Sequence, residues 1–221
     1  MNPGPQVITY LFGNKNLPIT DTLLVSWMVV ILVIIVVRLA TRNLKLRKPG
    51  KIQNAVEFFL NLILDQVEPM LPGEGRRFLP FIATIFIYIG VGNLIGFIPG
   101  LVSPTGDLNT TLGLALVVFL VSHYEGVRDN GLWGYISGFW KPVVFLLPLN
   151  VVGELAKPIS HSFRLFGNVV GGGIIIGLIY QAAPWLIPVP LHVWFDLFVG
   201  AIQALIFGMI AVAYISVAKG N

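Results

Sequence analysis

Cysteine is absent from the 221 residues, and only 11% of them carry a charge. The first absence excludes disulfides, thiol chemistry and thiolate metal sites. The second excludes an ordinary soluble domain, in which about 25% of residues are charged. The sequence also lacks the His-Glu-x-x-His metal pair, the Gly-x-Ser-x-Gly nucleophile turn and the glycine-rich phosphate loop with its lysine. We therefore predict no catalytic residue, no metal site and no cofactor.

Apolar side chains, by contrast, make up 56% of the chain. A soluble core of this size has no room for so many, whereas a bilayer takes the place of water around outward-facing ones. The net charge is +4, but most basic residues flank apolar runs, which is typical of membrane proteins and not of a nucleic-acid-binding surface. We predict a single transmembrane domain over residues 1–221 in contact with the lipid bilayer, and no nucleic-acid partner.

The apolar runs predict an all-α membrane protein with about five membrane-crossing helices. Three of them lie over residues 20–40, 78–99 and 108–124. The blocks 142–183 and 185–218 are too long to stand upright as single helices in a hydrocarbon core of ~30 Å, so each either splits into two short spans or tilts steeply. Pro184, Pro188 and Pro190 break the helix between these blocks and mark a hairpin.

Residues 52–70 have a different pattern, with apolar side chains on one helical face and Glu57, Asn61 and Asp65 on the other. This amphipathic pattern predicts an interfacial helix that lies in the plane of the membrane surface or on a partner helix. With five crossings, most of the basic residues fall on one side of the membrane. The positive-inside rule then predicts an outer N-terminus and a cytoplasmic C-terminus.

The block 142–183 contains a stripe of polar residues at the spacing of one helical face: Glu154, Lys157, His161, Arg164 and Asn168, with Asn150 and Ser160 near the same line. An ionisable group at the bilayer centre costs about 2.5 to more than 10 kcal/mol, so the stripe implies water, a partner charge or both. Glu154 and Lys157 are spaced to pair, although Lys157 is also placed to reach the membrane surface. Arg164 has no carboxylate three or four residues away, so its counter-charge has to come from elsewhere.

A second, weaker stripe in the last block consists of His192, Asp196 and Gln203. Two antiparallel helices with facing polar stripes can enclose a hydrated path through the membrane. We interpret His192 as a wet interfacial residue beside the proline-rich turn, and Asp196 as the better proton-relay candidate. Three glycines at residues 171–173 predict a place where another helix or water approaches closely.

The run Ser-Phe-Arg-Leu-Phe-Gly-Asn at residues 162–168, preceded by Glu-Leu-Ala-Lys-Pro-Ile-Ser at 154–160, closely resembles the signature of the membrane-embedded a subunit of F-type ATP synthases. Gln-Ala-Leu-Ile-Phe at 203–207 resembles the second signature of that family. Asn-Leu-Ile-Gly-Phe-Ile-Pro at 93–99 resembles a third. The three motifs occur in the family's order over residues 80–218.

The resemblance implies an ion-translocating subunit of a bacterial plasma-membrane ATP synthase that does no bond chemistry itself. Its partners would be a rotating ring of c subunits, the peripheral-stalk b subunits and the remainder of the synthase. Its last two helices would be steeply tilted, and it would form two offset aqueous half-channels for H⁺ or Na⁺. The family's essential arginine corresponds to Arg164, which would hold the passing c-ring carboxylate ionised and separate the half-channels. The family's asparagine and glutamine correspond to Asn168 and Gln203, near that arginine.

The sequence departs from the family pattern nine residues after Arg164, where many members carry an acidic residue or a histidine and this chain has Gly173. Asp196 stands where other members often place the partner of that group. We therefore hypothesise that Asp196 alone supplies the ionisable group of the outer half-channel.

Two other functions fit parts of the pattern less well. A secondary transporter could use Arg164 to clamp a small anion, but such a fold predicts an inverted repeat and none is visible. An intramembrane hydrolase could use His161 or Asp196, but it would need a nucleophile or a metal set that the sequence lacks.

Overall fold

The computed structural model describes residues 7–10, 18–42, 44–45, 50–96, 98, 101–138, 140, 145, 147–182 and 188–220. Phe97 and Pro99 of the third signature and the predicted helix breaker Pro184 lie outside these residues. The described part begins with two short antiparallel strands, β1 (Val7–Tyr10) and β2 (Pro18–Thr20). The sequence did not predict them, because four and three residues are too few to show an alternating pattern.

Five helices in the described part of the chain are long and apolar enough to cross a membrane: α1 (Asp21–Ala40), α3 (Gly75–Ile95), α4 (Leu108–Gly138), α5 (Leu147–Ala182) and a C-terminal helix over Pro190–Lys219. This confirms the predicted all-α membrane fold with five spans. The spans α1 and α3 agree with their predicted boundaries to within a few residues. Most of the surface of α1 is exposed, as expected of a helix that borders lipid or a partner subunit.

The predicted amphipathic helix is α2 (Lys51–Val67), which packs on α3. Its Ile63 and Val67 are buried, and the ring of its Phe59 lies 5.5 Å from that of Phe86 on α3. Its carboxylates are exposed on the opposite face. The apolar face of α2 is therefore covered by this chain, in agreement with one of the two placements that the sequence predicted.

Helix α4 is longer than predicted, because it continues through the polar and aromatic stretch that follows residue 124. A kink interrupts it at Gly131, whose φ of 69° is in the left-handed region that favours glycine. The last turns, after the kink, expose the aromatic side chain of Trp133.

Helix α5 is a single unbroken helix of 36 residues, about 54 Å long at 1.5 Å per residue. This excludes the division of its block into two upright spans. Pro158 lies inside it, as prolines in membrane-spanning helices can where neighbouring helices support the backbone. The steep tilt of α5 and of the C-terminal helix stays a prediction.

The C-terminal helix has three consecutive parts: α6 (Pro188–His192), a π-helical segment (Val193–Val199) and α7 (Gly200–Lys219). Pro188 and Pro190 lie at the start of a new helix, after α5 has ended at Ala182, in agreement with the predicted interruption between the two blocks. Both lie in its first turn, where a proline's missing N–H has no helical partner to lose.

The core of the molecule surrounds α7, which packs against α3 and α4. Its fully buried side chains lie on one face that contacts both neighbours: Ala204, Phe207, Ala211, Val212 and Ile215. The last residue of α7, Lys219, pairs with Glu74 at the start of α3 and with Asp129 near the end of α4. The end of α7, the start of α3 and the far end of α4 therefore lie on the same side of the bundle, as alternating crossings require.

Candidate functional site

Helix α5 packs against the C-terminal helix and runs antiparallel to it. The Lys157 ammonium lies 5.4 Å from the centre of the Tyr214 ring, and the His161 ring lies 3.7 Å from that of Phe207. Residues farther along α5 contact lower-numbered residues of the C-terminal helix, as an antiparallel arrangement requires.

Asn168 and Gln203, the two amides of the signatures, form a direct hydrogen bond. Asn168 Nδ2 donates to Gln203 Oε1 at 2.6 Å. Gln203 is 2% exposed, and its own Nε2 has no hydrogen-bond partner within the described part of the chain. Arg164 lies one helical turn before Asn168, so the amide pair lies close to the guanidinium that the sequence singled out.

Glu154 and Lys157 form an ion pair one helical turn apart, which confirms the predicted pairing. Both side chains are about one quarter exposed. The pair lies on the half of α5 nearer to the Lys219 end of the bundle, because Lys157 contacts Tyr214 in the last turns of α7.

His161 points into the core and is 1% exposed. Its ring stacks on Phe207 and meets the Tyr214 ring edge-on at 5.7 Å. The Phe207 backbone is within reach of the ring, but neither ring nitrogen makes a hydrogen bond of acceptable geometry. The neighbouring Ser162 hydroxyl is likewise buried without a hydrogen bond. The predicted stripe therefore divides, because His161 faces the core while Arg164 does not.

Arg164 is exposed on the outer side of α5, beside a face of small residues. A methyl group added at Gly153, Gly167 or Gly171 would have no atom within 4 Å, and Ser160 on the same side is also exposed. None of the ion pairs among the described residues includes Arg164. The charge of Arg164 is therefore available to a group outside this chain. The small residues beside it allow another helix to approach closely.

Of the three consecutive glycines, only Gly172 lies against another element. A methyl group there would meet the Phe195 ring at 3.1 Å, whereas Gly171 and Gly173 have nothing within 4 Å. The predicted close approach is confirmed at Gly172. Gly171 and Gly173 face away from the described part of the chain.

His192 and Asp196 form a hydrogen-bonded pair, with 2.6 Å between Nδ1 and Oδ2. His192 Nε2 lies 3.3 Å from the Tyr180 hydroxyl of α5, so the three side chains link the two helices near their connection. Both members of the pair are about one quarter exposed. The sequence singled out His192 and Asp196 separately and missed Tyr180, whose partners depend on how α5 meets the last helix.

Asp196 lies in the π-helical segment, in which hydrogen bonds span five residues and each turn contains more residues than in an α-helix. The predicted stripe from His192 to Gln203 assumes α-helical spacing throughout. It does not continue straight through this segment. Asp196 bonds to His192, which lies beside Tyr180, whereas Gln203, in α7, bonds to Asn168.

An ion-pair cluster that the sequence did not reveal closes the Lys219 end of the bundle. Glu125, 5% exposed, accepts from Arg77 Nη2 at 2.5 and 2.6 Å. The Lys219 side chain is 2% exposed and lies 2.5 Å from Glu74 Oε1 and 2.6 Å from Asp129 Oδ2. The Glu74 carboxylate accepts from Lys219, which holds its pKa below its usual value. These charges come from three helices, so their spacing in the sequence carries no signal of the cluster.

The fold and the site together define a multi-pass membrane protein with polar groups between two antiparallel helices and, on its flank, an arginine that has no ion-pair partner among the described residues. The chain matches the family profile described as the ATP synthase A chain over residues 23–216. It belongs to the family of ATP synthase a subunits.

Three relatives illustrate the similarity. The ATP synthase subunit a of Moorella thermoacetica is 40% identical over 93% of this chain and 94% of its own length. A subunit a of a Bradyrhizobium species, numbered 2, is 36% identical over 100% of this chain and 98% of its own length. The sodium-ion-specific subunit a of Propionigenium modestum is 34% identical over 100% of this chain and 81% of its own length.

The family assigns the chain to the ion-translocating membrane sector of a bacterial ATP synthase, as a multi-pass subunit that is not itself catalytic.

Proposed function

We propose that this chain conducts ions between two half-channels and a rotating ring of c subunits, and so couples ion flow to ATP synthesis. The observation that carries the proposal is Arg164, an exposed cation without an ion-pair partner among the described residues. A charge in the membrane needs a counter-charge. A carboxylate on a passing c subunit is the counter-charge, and the small residues beside Arg164 allow its helix to come close.

Arginine suits this position because its delocalised guanidinium stays charged where a lysine ammonium can lose its proton. The guanidinium keeps the ring carboxylate ionised while it passes and blocks ions from leaking between the half-channels. The hydrogen bond between Asn168 and Gln203 holds the side chains next to Arg164 in place on two different helices.

The two half-channels lie on opposite sides of Arg164. His192, Asp196 and Tyr180 line the outer one, near the connection of the last two helices. Glu154, Lys157 and Ser160 line the inner one, on the cytoplasmic side with Lys219. Gly173 supplies no ionisable group to the outer half-channel. The hydrogen-bonded pair of His192 and Asp196 supplies that group instead. The hypothesis that Asp196 acts alone is thereby extended to include His192, while His161 supports the path from the core.

The test is ATP-driven ion uptake into liposomes by the reconstituted complex, measured with and without sodium. We expect Arg164→Ala and Arg164→Lys both to abolish coupled uptake. Arg76→Ala, which removes an exposed arginine at the start of α3, serves as the control and should keep it. Coupled uptake by Arg164→Ala would contradict the mechanism.

The sodium arm of the same experiment decides which ion is carried. The name of the Propionigenium relative specifies sodium for that protein, so both H⁺ and Na⁺ are tested here. Purification adds a test of the partners: a ring of c subunits and peripheral-stalk b subunits should accompany the chain. A secondary transporter would instead be isolated alone or as a homo-oligomer.

A further inference from the structure

The signature residue Asn93 has no role in the mechanism above, yet it is 4% exposed and forms hydrogen bonds on both sides of its amide. Its Nδ2 donates to the backbone carbonyl of Gly200 at 3.1 Å, and its Oδ1 accepts from the Thr105 hydroxyl at 2.5 Å. The Thr105 hydroxyl lies 2.7 Å from that of Ser103, which donates to the Gly92 carbonyl at 3.0 Å. All of these side chains are buried where α3 ends.

The place where Asn93 contacts the C-terminal helix is the junction between two helical registers. Gly200 is the first residue of α7, directly after the π-helical segment Val193–Val199. Its N–H still bonds five residues back, to the Phe195 carbonyl. A side chain that bonds to a helix carbonyl is one of the recognised causes of such local changes in helix geometry.

The contact at Gly200 is close as well as polar. A methyl group at this position would lie 3.0 Å from Asn93 Cβ, so any side chain there pushes the two helices apart. The Gly200 carbonyl fixes the orientation of the amide, because it can only accept and so must face Nδ2, and Oδ1 then accepts from the Thr105 hydroxyl. The opposite orientation would place two oxygens against each other.

We propose that Asn93 is a positioning residue that holds the junction at Gly200 and thereby sets the rotation of Asp196 relative to Gln203. Without the bond from Asn93, the π segment relaxes toward the α-helical register. Asp196 then rotates away from Tyr180, while Gln203 stays beside Asn168. That Asp196 matters for ion conduction rests on the proposed function. The claim that Asn93 positions the junction does not rest on the proposed function. An experiment can therefore contradict one of these two claims and leave the other intact.

The absence of cysteine allows a direct test by disulfide cross-linking in the assembled complex. The reporter pair is Gly172→Cys with Phe195→Cys, positions whose Cβ atoms would be 3.3 Å apart across α5 and the π segment. The reference pair is Gly90→Cys with Ala204→Cys, with a Cβ separation of 3.9 Å beyond the junction. Disulfides prefer a Cβ separation of about 3.5–4.5 Å, so the reference pair is inside that range and the reporter pair is slightly below it.

We expect Asn93→Leu to abolish cross-linking of the reporter pair and to leave the reference pair cross-linked. Thr105→Val, which keeps the shape and removes the hydroxyl that donates to Asn93 Oδ1, should weaken the reporter cross-link, and Thr105→Ser should restore it. Thr84→Val is the matched control, because this α3 hydroxyl bonds to the carbonyl of Pro80 in its own helix. It should change neither pair.

Two results would overturn the proposal. Full cross-linking of the reporter pair in both Asn93→Leu and Thr105→Val means that the junction does not depend on Asn93. Loss of both pairs together means that Asn93 supports the fold in general. Coupled ion uptake by the same variants, without the added cysteines, tests the functional consequence: reporter loss with unchanged uptake at every pH would leave the positioning claim intact and contradict the assigned role of Asp196.

Discussion

The properties of individual side chains in this protein depend on the side chains that contact them. Asp196 is a lone carboxylate in an apolar block, and the fold gives it His192 as a partner and Tyr180 beyond. Such a chain of groups can pass a proton between water and the membrane interior, because each member can both donate and accept. Arg164 has no such partner among the described residues, which fits a charge that acts on another subunit.

At the residue scale we predict that Asp196→Asn lowers the rate of coupled ATP synthesis by about 100-fold, the lower end of what a proton-transferring group contributes. His192→Ala should lower it less, because the carboxylate remains. The measurement is ATP synthesis by inverted membrane vesicles across a range of pH. Asp65→Asn on the exposed face of α2 is the control. Unchanged synthesis by Asp196→Asn at every pH would show that another group takes up the ion.

The buried amide pair gives a second prediction at this scale. Gln203→Leu removes the acceptor of the 2.6 Å bond from Asn168 and should destabilise the helix contact by about 1 kcal/mol. The change should also lower coupled ion uptake, since the side chains beside Arg164 lose their connection. Gln66→Leu, at an exposed position of α2, controls for the substitution itself. Thermal dissociation of the purified complex and uptake assays would measure the two effects.

Between helices, the spacing of small residues decides which faces can come together. Gly172 lies under the Phe195 ring, while Gly177 on the same helix has open space around its Cα. Helix α5 therefore has a tight contact on one side and an uncovered small-residue face on the other. The tight contact belongs to the fold, and the uncovered face is available to a partner.

This difference predicts opposite outcomes for one substitution at two sites. Gly172→Val should destabilise the subunit by about 1–3 kcal/mol, the usual cost of overpacking. Gly177→Val should have little effect, because a Cβ at this position would have no atom of another described element within 4 Å. The amount of the subunit in membranes and its thermal unfolding after purification measure the effect. Equal behaviour of the two variants would mean that Phe195 moves aside at no cost.

Seen as a whole, the subunit joins its helices by polar groups at the ends of the bundle and leaves much of its sides apolar. Thr22 donates to Asp107 at 2.7 Å and connects the starts of α1 and α4. At the other end, Lys219 connects the last residue of α7 to α3 and α4. A hydrogen bond at one end and ion pairs at the other hold the spans together, since lipid provides no hydrophobic driving force for helix association.

We predict that Lys219→Met loosens the end of α7 and lowers the stability of the subunit by about 1–3 kcal/mol, since two hydrogen bonds to charged groups are lost. Lys51→Met at the exposed start of α2 should have no comparable effect. Proteolysis of the C-terminal helix in purified complex would report the loosening directly. If Lys219→Met resists the protease as well as the unchanged chain, the cluster does not hold the helix.

The same cluster predicts a pH dependence. Lys219 holds the pKa of Glu74 below its ordinary value of 4.5. A lowered folded-state pKa means that the stabilisation is complete above that ordinary value and is lost as the pH falls through the lowered one. Glu74→Gln should therefore remove part of the acid loss of stability below about pH 4.5, measured by thermal unfolding in detergent. Glu57→Gln should leave that loss unchanged.

Much of this protein could be predicted from its sequence because a bilayer imposes simple requirements on a helix. Apolar length determined the five spans, and amphipathic spacing determined α2. The ion pair of Glu154 and Lys157 followed from their separation along one helix. Contacts three or four residues apart depend only on helix geometry, so the sequence determines them directly.

Tertiary structure decided what depends on two elements meeting. The division of the stripe into a buried His161 and an exposed Arg164 depends on which side of α5 the other helices cover. The pairing of Asn168 with Gln203 depends on the antiparallel register of two long helices. The π segment and its contact with Asn93 depend on a side chain from α3. The sequence alone determined that a charge lies in the membrane, and only the fold decided which way that charge faces, because helix periodicity carries no information about a neighbour.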